Sequence, residues 1–378
     1  MAYGTINADS LVSSDGGVIS PNINSLRNRI INGAMVIDQR NAGASVATTT
    51  TGTPTYTLDR FAYQSSQASK YTVQQNAGSV TPPAGFKNYL GVTSTSAYSV
   101  AAGDYFLLRQ PIEGFNTADL GFGAAGASTV TISFWVRSSL TGTFGGSLSN
   151  SDNSRSYPFT YTISTANTWE QKSVTIAGDT SGTWVGATNG VGMLVVFSLG
   201  MGSTYSGTAG AWAGTNYLST TGATSVVGTN GATFYITGVQ LEKGSVATSF
   251  DYRPYGTELA LCQRYYEMSY PQGTAPGTAV QQTTALSVYN NSPTASTAST
   301  MTIPVRFKAS KRASPTVTIY QPHTGTTGQM RNYDTGATIT SVVFLPSQEH
   351  CSLTTQDGAN GCASNQALVG HFTASAEL

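Results

Sequence analysis

Trp184, Tyr205, Trp212 and Tyr217 lie in stretches made almost wholly of Gly, Ser, Thr, Ala and Asn, where burying a large ring is hardest to arrange. An exposed aromatic face suits the apolar C–H face of a sugar ring, while Asn, Gln, Asp, Arg and Ser can hydrogen-bond its hydroxyls. Such sites are weak singly and gain from multiplication across copies. These four rings are the candidate glycan platform. The competing reading is that each folds over the end of a β-sandwich as a loop plug, or meets a neighbouring chain. Trp135 and Trp169, in or beside strand-like sequence, read as core or sheet-face residues.

Catalytic patterns are not found. The three histidines, His323, His350 and His371, show no metal-ligand spacing and read as ordinary strand or surface residues. No GxSxG elbow, dinucleotide-binding glycine motif or phosphate-binding loop is present. Asp104, Glu113, Asp119, Asp152, Glu170 and Asp179 are scattered over separate segments, so a hydrolytic carboxylate pair has no support from spacing. "SNSDNS" around Asp152 and Asn153 is a turn before it is a calcium loop. The chain reads as a non-enzyme that needs no cofactor and no metal. Three cysteines are too few for a disulfide framework. Cys262 reads as a small buried hydrophobe, whereas Cys351 and Cys362 flank "SLTTQDGANG", a turn-rich stretch able to bring them together as a candidate disulfide. Asp59 and Arg60 in "LDRF" read as a structural ion pair.

The elements that must position these residues are strands. Charged residues make up 10% of the 378, against about 25% in an average globular chain. With 18 basic and 18 acidic residues the formal net charge is +0, and "RFKASKR" is the densest basic run, which argues against a nucleic-acid partner. The first residues lack the charged start and apolar run of a secretory signal, and no stretch approaches a membrane span, so neither export by that route nor membrane insertion is expected. "TLDRFAYQSS", "KYTVQQNAG", "NYLGVTST", "DYFLLRQPI", "STVTISFWVRSS", "YPFTYTIS", "EQKSVTIAG", "VGMLVVFSLG" and "ATFYITGVQLEKG" have strand length and are separated by turn residues. "NRIINGAMVIDQR", from Asn28, also reads as a strand. In "TVTISFWVR", Val130, Ile132, Phe134 and Val136 alternate with Thr131, Ser133, Trp135 and Arg137, giving one apolar face. Many short strands without amphipathic helices predict an all-β antiparallel sandwich. "GTFGGSLSNSDNSRS" and the stretch from Gly202 to Gly231 read as long binding-type loops.

One helix interrupts this pattern. Pro254 and Gly256 stop an extended segment, Thr257 is placed to cap, and "ELALCQRYYEM" follows with Glu258 in the first turn. Leu259, Cys262 and Tyr266 fall on one stripe, so this short helix must pack either at a domain junction or around a symmetry axis between chains. The organisation expected is an attachment arm over 1–27, a β-sandwich over 28–254, a linker helix over 255–270 and a smaller β-sandwich over 271–378.

"RNRIINGAMVIDQRNAG", "LDRFAYQ", "SFWVRSS", "FYITGVQLEKGSVATSFDYRPYGTELALCQRYYE" and the closing "FTASAEL" together resemble the tail-fibre-type structural proteins of tailed bacteriophages and prophages. The resemblance implies a jelly roll similar to carbohydrate-binding modules, then a short helix and a C-terminal β domain. It further implies a virion protein, trimeric as a fibre, that helps engage the host surface. Beside it, the loop aromatics make host-surface polysaccharide the expected ligand, and residues 1–27, which hold little core, are the expected attachment to another virion protein. A capsid decoration, head-fibre or tail-adaptor protein with a purely architectural role shares nearly all these features, and a glycan-degrading tailspike is a further alternative. The chain lacks the long repetitive shaft of an extended fibre.

Overall fold

The alternation in "TVTISFWVR" decides which face turns inward. Val130, Ile132, Phe134 and Val136 are fully buried, while Trp135 and Arg137 opposite stay half-buried. The computed structural model describes residues 27–280, 284–291, 300–356 and 362–378, with a backbone ladder of Leu11–Val12 against Val18–Ile19. The expected arm over 1–27 lies, Arg27 and that ladder aside, outside the described residues. The chain divides into two compact units. The first holds the described residues up to Met35 with Ala47–Thr55 and Ala62–Arg253; the second holds Val36–Val46, Tyr56–Phe61 and Pro254–Leu378. Residues 36–46 and 56–61, which the sequence groups with the first sandwich, thus belong with the second unit.

The first unit is an antiparallel jelly-roll sandwich. Its strands are β1 (Phe61–Ser65), β2 (Tyr71–Gln75), β3 (Leu90–Ser94), β4 (Tyr105–Glu113), β5 (Val130–Ser138), β6 (Gly142–Ser149), β7 (Ser156–Ile163), β8 (Glu170–Ile176), β9 (Val191–Met201) and β10 (Thr233–Lys243). One sheet runs β7-β6-β9-β4-β1 and the other β8-β5-β10-β3-β2. Their inner faces meet through rings. Phe134 of β5 packs edge-on against Phe197 of β9 at 5.0 Å and Tyr161 of β7 at 4.9 Å, and Phe144 lies 6.1 Å from Phe234. Each such ring contributes about 1.5–3 kcal/mol by burial, and favourable ring pairs add about 0.5–1.5.

Two sequence expectations fail here for identifiable reasons. "GTFGGSLS", read as a loop, is β6, paired with β7 on one side and β9 on the other. Its glycines disguise a strand whose neighbours leave no room for side chains. A Cβ on Gly146 would stand 2.4 Å from the Val196 carbonyl oxygen, and one on Gly145 would stand 2.2 Å from Ser219 Oγ. Conversely, "NRIINGAMVIDQR" is buried but forms no regular strand. Asn28 holds the start of this segment on β10: its Nδ2 donates to Val239 O, and its Oδ1 accepts from the Ile30 and Leu241 backbone N–H groups. Asn32 and Met35 then turn the chain at positive φ, 61° and 58°.

In the second unit the helix α1 spans Tyr255–Gln263, earlier and shorter than the sequence suggests. Extended Pro254 is its N-cap, and the Glu258 N–H donates to the Pro254 carbonyl at 3.0 Å, so Thr257 lies inside the helix and does not cap it. Tyr266 is not helical. It opens strand β11 (Tyr266–Met268), so the expected stripe of Leu259, Cys262 and Tyr266 breaks at the helix end. Strands β12 (Leu286–Tyr289), β13 (Thr302–Arg306), β14 (Thr316–Tyr320), β15 (Gln329–Asn332), β16 (Thr338–Phe344), β17 (His350–Thr355) and β18 (Ala367–Ser375) complete the smaller sandwich. β18 is its axis, pairing with β11 and β14 along its second half and with β12 and β15 along its first. Ile303, Ile319, Ile339, Leu353, Leu368 and Phe372 form part of the core.

Cys351 and Cys362 sit in that core as free thiols, which corrects the expected disulfide. Each packs as a small hydrophobe, and burial pushes both thiols up to about 11. Asp59 and Arg60 are both buried and each holds a further partner. Asp59 accepts from the Gln39 backbone N–H and from Gln39 Nε2, both at 2.7 Å. Arg60 pairs with Glu377, whose other oxygen accepts from Arg40 at 2.5 Å. Arg60 also lies over the Tyr265 ring at 3.6 Å and Arg40 over Tyr266 at 3.8 Å. Arg312 donates to the Ala376 and Glu377 carbonyls, completing a clamp on the last residues.

Candidate binding site

The site lies in the first unit, where three loops meet. The first carries the short 3₁₀ turns Gly114–Asn116 and Ala118–Leu120 that follow β4. The second joins β8 to β9 over residues 177–190, and the third is the long stretch after β9.

Backbone and buried charge set the middle loop. The Arg155 guanidinium grips the nearly fully buried Asp179 with two bonds of 2.7 Å, and that bond raises the arginine's pKa further. Asp179 Oδ1 also accepts from the Ser181 N–H at 3.1 Å. Asn150, in the turn before β7, donates to the Thr183 carbonyl at 3.0 Å and accepts from the Arg155 N–H at 2.9 Å. Gly123, at φ 88°, lets the first loop approach, and its N–H donates to the Asp179 carbonyl at 2.7 Å. A Cβ on Gly123 would stand 3.0 Å from Trp184 Cδ1.

On this scaffold Trp184 and Trp212 come together, 5.5 Å between ring centroids and 90° between planes. Phe122 packs edge-on against both, at 4.8 and 5.8 Å, and Tyr157 against Trp212 at 5.3 Å. The indole N–H groups are spent on backbone: Trp184 Nε1 donates to Ser181 O at 3.2 Å and Trp212 Nε1 to Ala177 O at 2.7 Å. All four rings are half-buried. The result is an L-shaped corner whose rings offer apolar surface and whose indole N–H groups are satisfied. Beside it, Thr117, Ala118, Phe122, Trp184, Val185 and Met193 line much of a pocket of about 50 Å3. Phe115, two residues before Thr117, is 55% exposed.

Tyr205 and Tyr217 lie in the same long loop but do not join the corner. Tyr205 packs edge-on against Tyr105 at 5.4 Å, and the Tyr217 ring lies over Gly207, where a Cβ would stand 2.3 Å from it. Trp169 donates to the Thr81 carbonyl and packs on Tyr89 at 5.5 Å, away from these loops. Phe122 and Tyr157 were missed in the sequence. Phe122, between Gly121 and Gly123, carries the same signal as the tryptophans, whereas Tyr157 is hidden in a strand.

The acids are engaged in local bonds. Asp119 pairs with Arg29 at 2.8 Å, and Asp152 accepts from the Ser154 N–H and hydroxyl, which hold its carboxyl below the usual range. Burial alone would push Asp104 up, but bonds from the Ala101 N–H, Ser66, Tyr98 and Gln67 outweigh it and lower its pKa. Among the described residues no group of three or more His, Cys, Asp or Glu side chains is placed to hold a metal.

In the second unit, Cys262 is fully buried and Tyr266 nearly so, while Leu259 is half-buried and Tyr255, four residues before it on α1, is 51% exposed. Among the described residues no helix is long and apolar enough to cross a membrane.

No family model matches the sequence, and no curated protein matches it. Among solved structures the chain is similar to the enzymatically active domain of tailspike protein 4 of bacteriophage CBA120, at 11% identity and a TM-score of 0.29 over 57% of this chain and 21% of that one. A CBM4 module is 14% identical, with a TM-score of 0.27 over 56% of this chain and 98% of that one. The family 11 carbohydrate-binding module of Clostridium thermocellum, complexed with a mixed-linked tetrasaccharide, is 9% identical, with a TM-score of 0.26 over 50% of this chain and 90% of that one. Likeness at this level assigns no ligand to the chain.

Proposed function

We propose that this chain is a non-catalytic glycan-binding protein whose ligand stacks in the corner made by Trp184 and Trp212. One observation carries the reading: two tryptophans 5.5 Å apart and perpendicular, fixed through their N–H groups, on loops braced by a buried arginine–carboxylate pair. A pyranose can lie on one ring with the other as a side wall, and little side-chain entropy is lost because the rings are already held. Titrating the protein's tryptophan fluorescence with purified surface polysaccharides tests this. Saturable quenching is expected, and Trp184→Ala or Trp212→Ala should weaken it roughly tenfold or more. A folded protein that binds none of them, or binds equally without either ring, would refute the site.

The sequence resemblance to tail-fibre-type proteins supports a finer reading, in which the chain is a virion protein that attaches to host-surface polysaccharide. In this reading residues 1–27 anchor it to other virion proteins and the assembly is a homotrimer. Cys262 and Tyr266 are buried within their own unit, so Tyr255 and Leu259, one helical turn apart on α1, are the residues that would meet another copy. Labelled protein should bind cells that carry the polysaccharide and lose binding when it is removed. Deleting residues 1–27 should leave a folded protein that no longer enters particles.

A further inference from the structure

The pocket beside the corner has a size and lining that suit one sugar substituent. It holds about 50 Å3, room for about one or two waters. Phe122 and Trp184 belong both to the pocket wall and to the aromatic corner, so a ring stacked in the corner would carry a substituent directly to the pocket mouth. The lining is mixed: the fully buried Met193 and the half-buried Ala118 and Val185 stand beside Thr117, Gly186 and Gly192, which leave much of the surface polar. Thr117, nearly buried, is one of the lining residues, and its hydroxyl donates a long bond, 3.4 Å, to the Gly114 carbonyl. A lining of this kind suits a substituent that is itself part apolar and part hydrogen-bonding. A methyl next to a single amide matches the lining.

We infer that the pocket recognises the acetamido group of an N-acetylated hexosamine, with the methyl against Met193 and Val185 and the amide toward Thr117. This rests on the glycan-binding reading and narrows its ligand class. Glycine at 186 supports an open mouth: Gly186 is exposed, and a Cβ there would meet nothing within 4 Å.

The test compares N-acetylglucosamine and N-acetylgalactosamine oligosaccharides with glucose and galactose oligosaccharides of equal length, by calorimetry on the whole chain. N-acetylated probes should bind about tenfold more tightly, as burial of one methyl with one hydrogen bond implies. Ala118→Leu, which fills the pocket from a half-exposed position, should abolish that preference, so that acetylated and plain probes bind alike. Gly186→Val provides a second block at a site with open space, should Ala118→Leu misfold. Equal affinity for acetylated and plain probes overturns the acetamido assignment while leaving the stacking site intact. Failure of all probes to bind folded protein overturns both. Preference that survives both blocking variants also overturns the assignment.

Discussion

Trp184 and Asp179 lie in one loop but do different work, and their substitutions should be separable. Trp184→Ala removes a ring that is half-exposed and whose only polar bond is to a local carbonyl, so binding should fall while the melting temperature drops by no more than a few degrees. Asp179→Ala strips the partner from Arg155 in a site where Asp179 is 2% exposed. Breaking a buried pair on one side costs on the order of 3–5 kcal/mol, so melting temperature and affinity should fall together. Equal thermal shifts in both variants would show that Trp184 is a structural plug. His371 gives a pH test. It is fully buried, stacked 4.0 Å from the Tyr270 ring with Nδ1 3.0 Å from Ser269 Oγ, while Nε2 has no partner among the described residues. Burial holds its pKa down at about 4. The unfolded chain takes up the proton near pH 6.5 and the fold does not, so this contribution is full above that pH and is lost as pH falls toward 4, by up to about 3 kcal/mol. Denaturant melts from pH 7 to 4 should show a shallower decline in His371→Gln than in the parent chain; parallel curves would remove His371 from the account.

At the scale of elements, what was legible in the sequence tracks how far side-chain type, rather than contact, decides the structure. The period-2 strands β5 and β10 and the strands of the second unit were readable because alternation and β-branched residues mark them. β6 was not, because its glycines answer to neighbours, the Val196 carbonyl and the Ser219 hydroxyl, that no local rule reveals. The helix was readable as a helix, but its end was not: Tyr265 and Tyr266 suit a helix or a strand, and pairing of Tyr266 with Ser375 across more than a hundred residues decides it. In the candidate site, glycine-rich surroundings marked four rings alike, of which Trp184 and Trp212 come together while Tyr205 and Tyr217 pack elsewhere. The C-terminal clamp was likewise invisible, since its partners come from distant segments. Glu377→Gln should destabilise the chain by about 3 kcal/mol, because Arg60 and Arg40 lose the carboxylate they share while remaining protonated. A denaturant midpoint unchanged by that substitution would show the clamp to be ornamental.

For the whole molecule, association is read from its mass in solution. If Tyr255 and Leu259 meet other copies, light scattering should give the mass of a trimer for the parent chain and a lower mass for Leu259→Asp, since an unpaired charge at a packed apolar contact costs several kcal/mol. An unchanged mass would remove α1 from the contact. The composition of the second unit yields a separate expectation. Residues 254–378 expressed alone lack Gln39, Arg40 and Arg60, which leaves Glu377 and the faces of Tyr265 and Tyr266 without their partners. That fragment should show poor amide-proton dispersion, whereas a version carrying residues 36–61 through a flexible linker should recover it.

The same three-part composition limits how such a chain can be inherited. A gene that exchanged its second unit by one crossover at codon 254 would import a new Glu377 while keeping the old Arg40 and Arg60. Exchange would succeed only between partners already matched at those positions, or by two events that carry the short upstream segment along. Variation in the loops that carry Trp184 and Trp212 touches none of these three residues, so it can accumulate there while the upstream segment and the tail are inherited as a set.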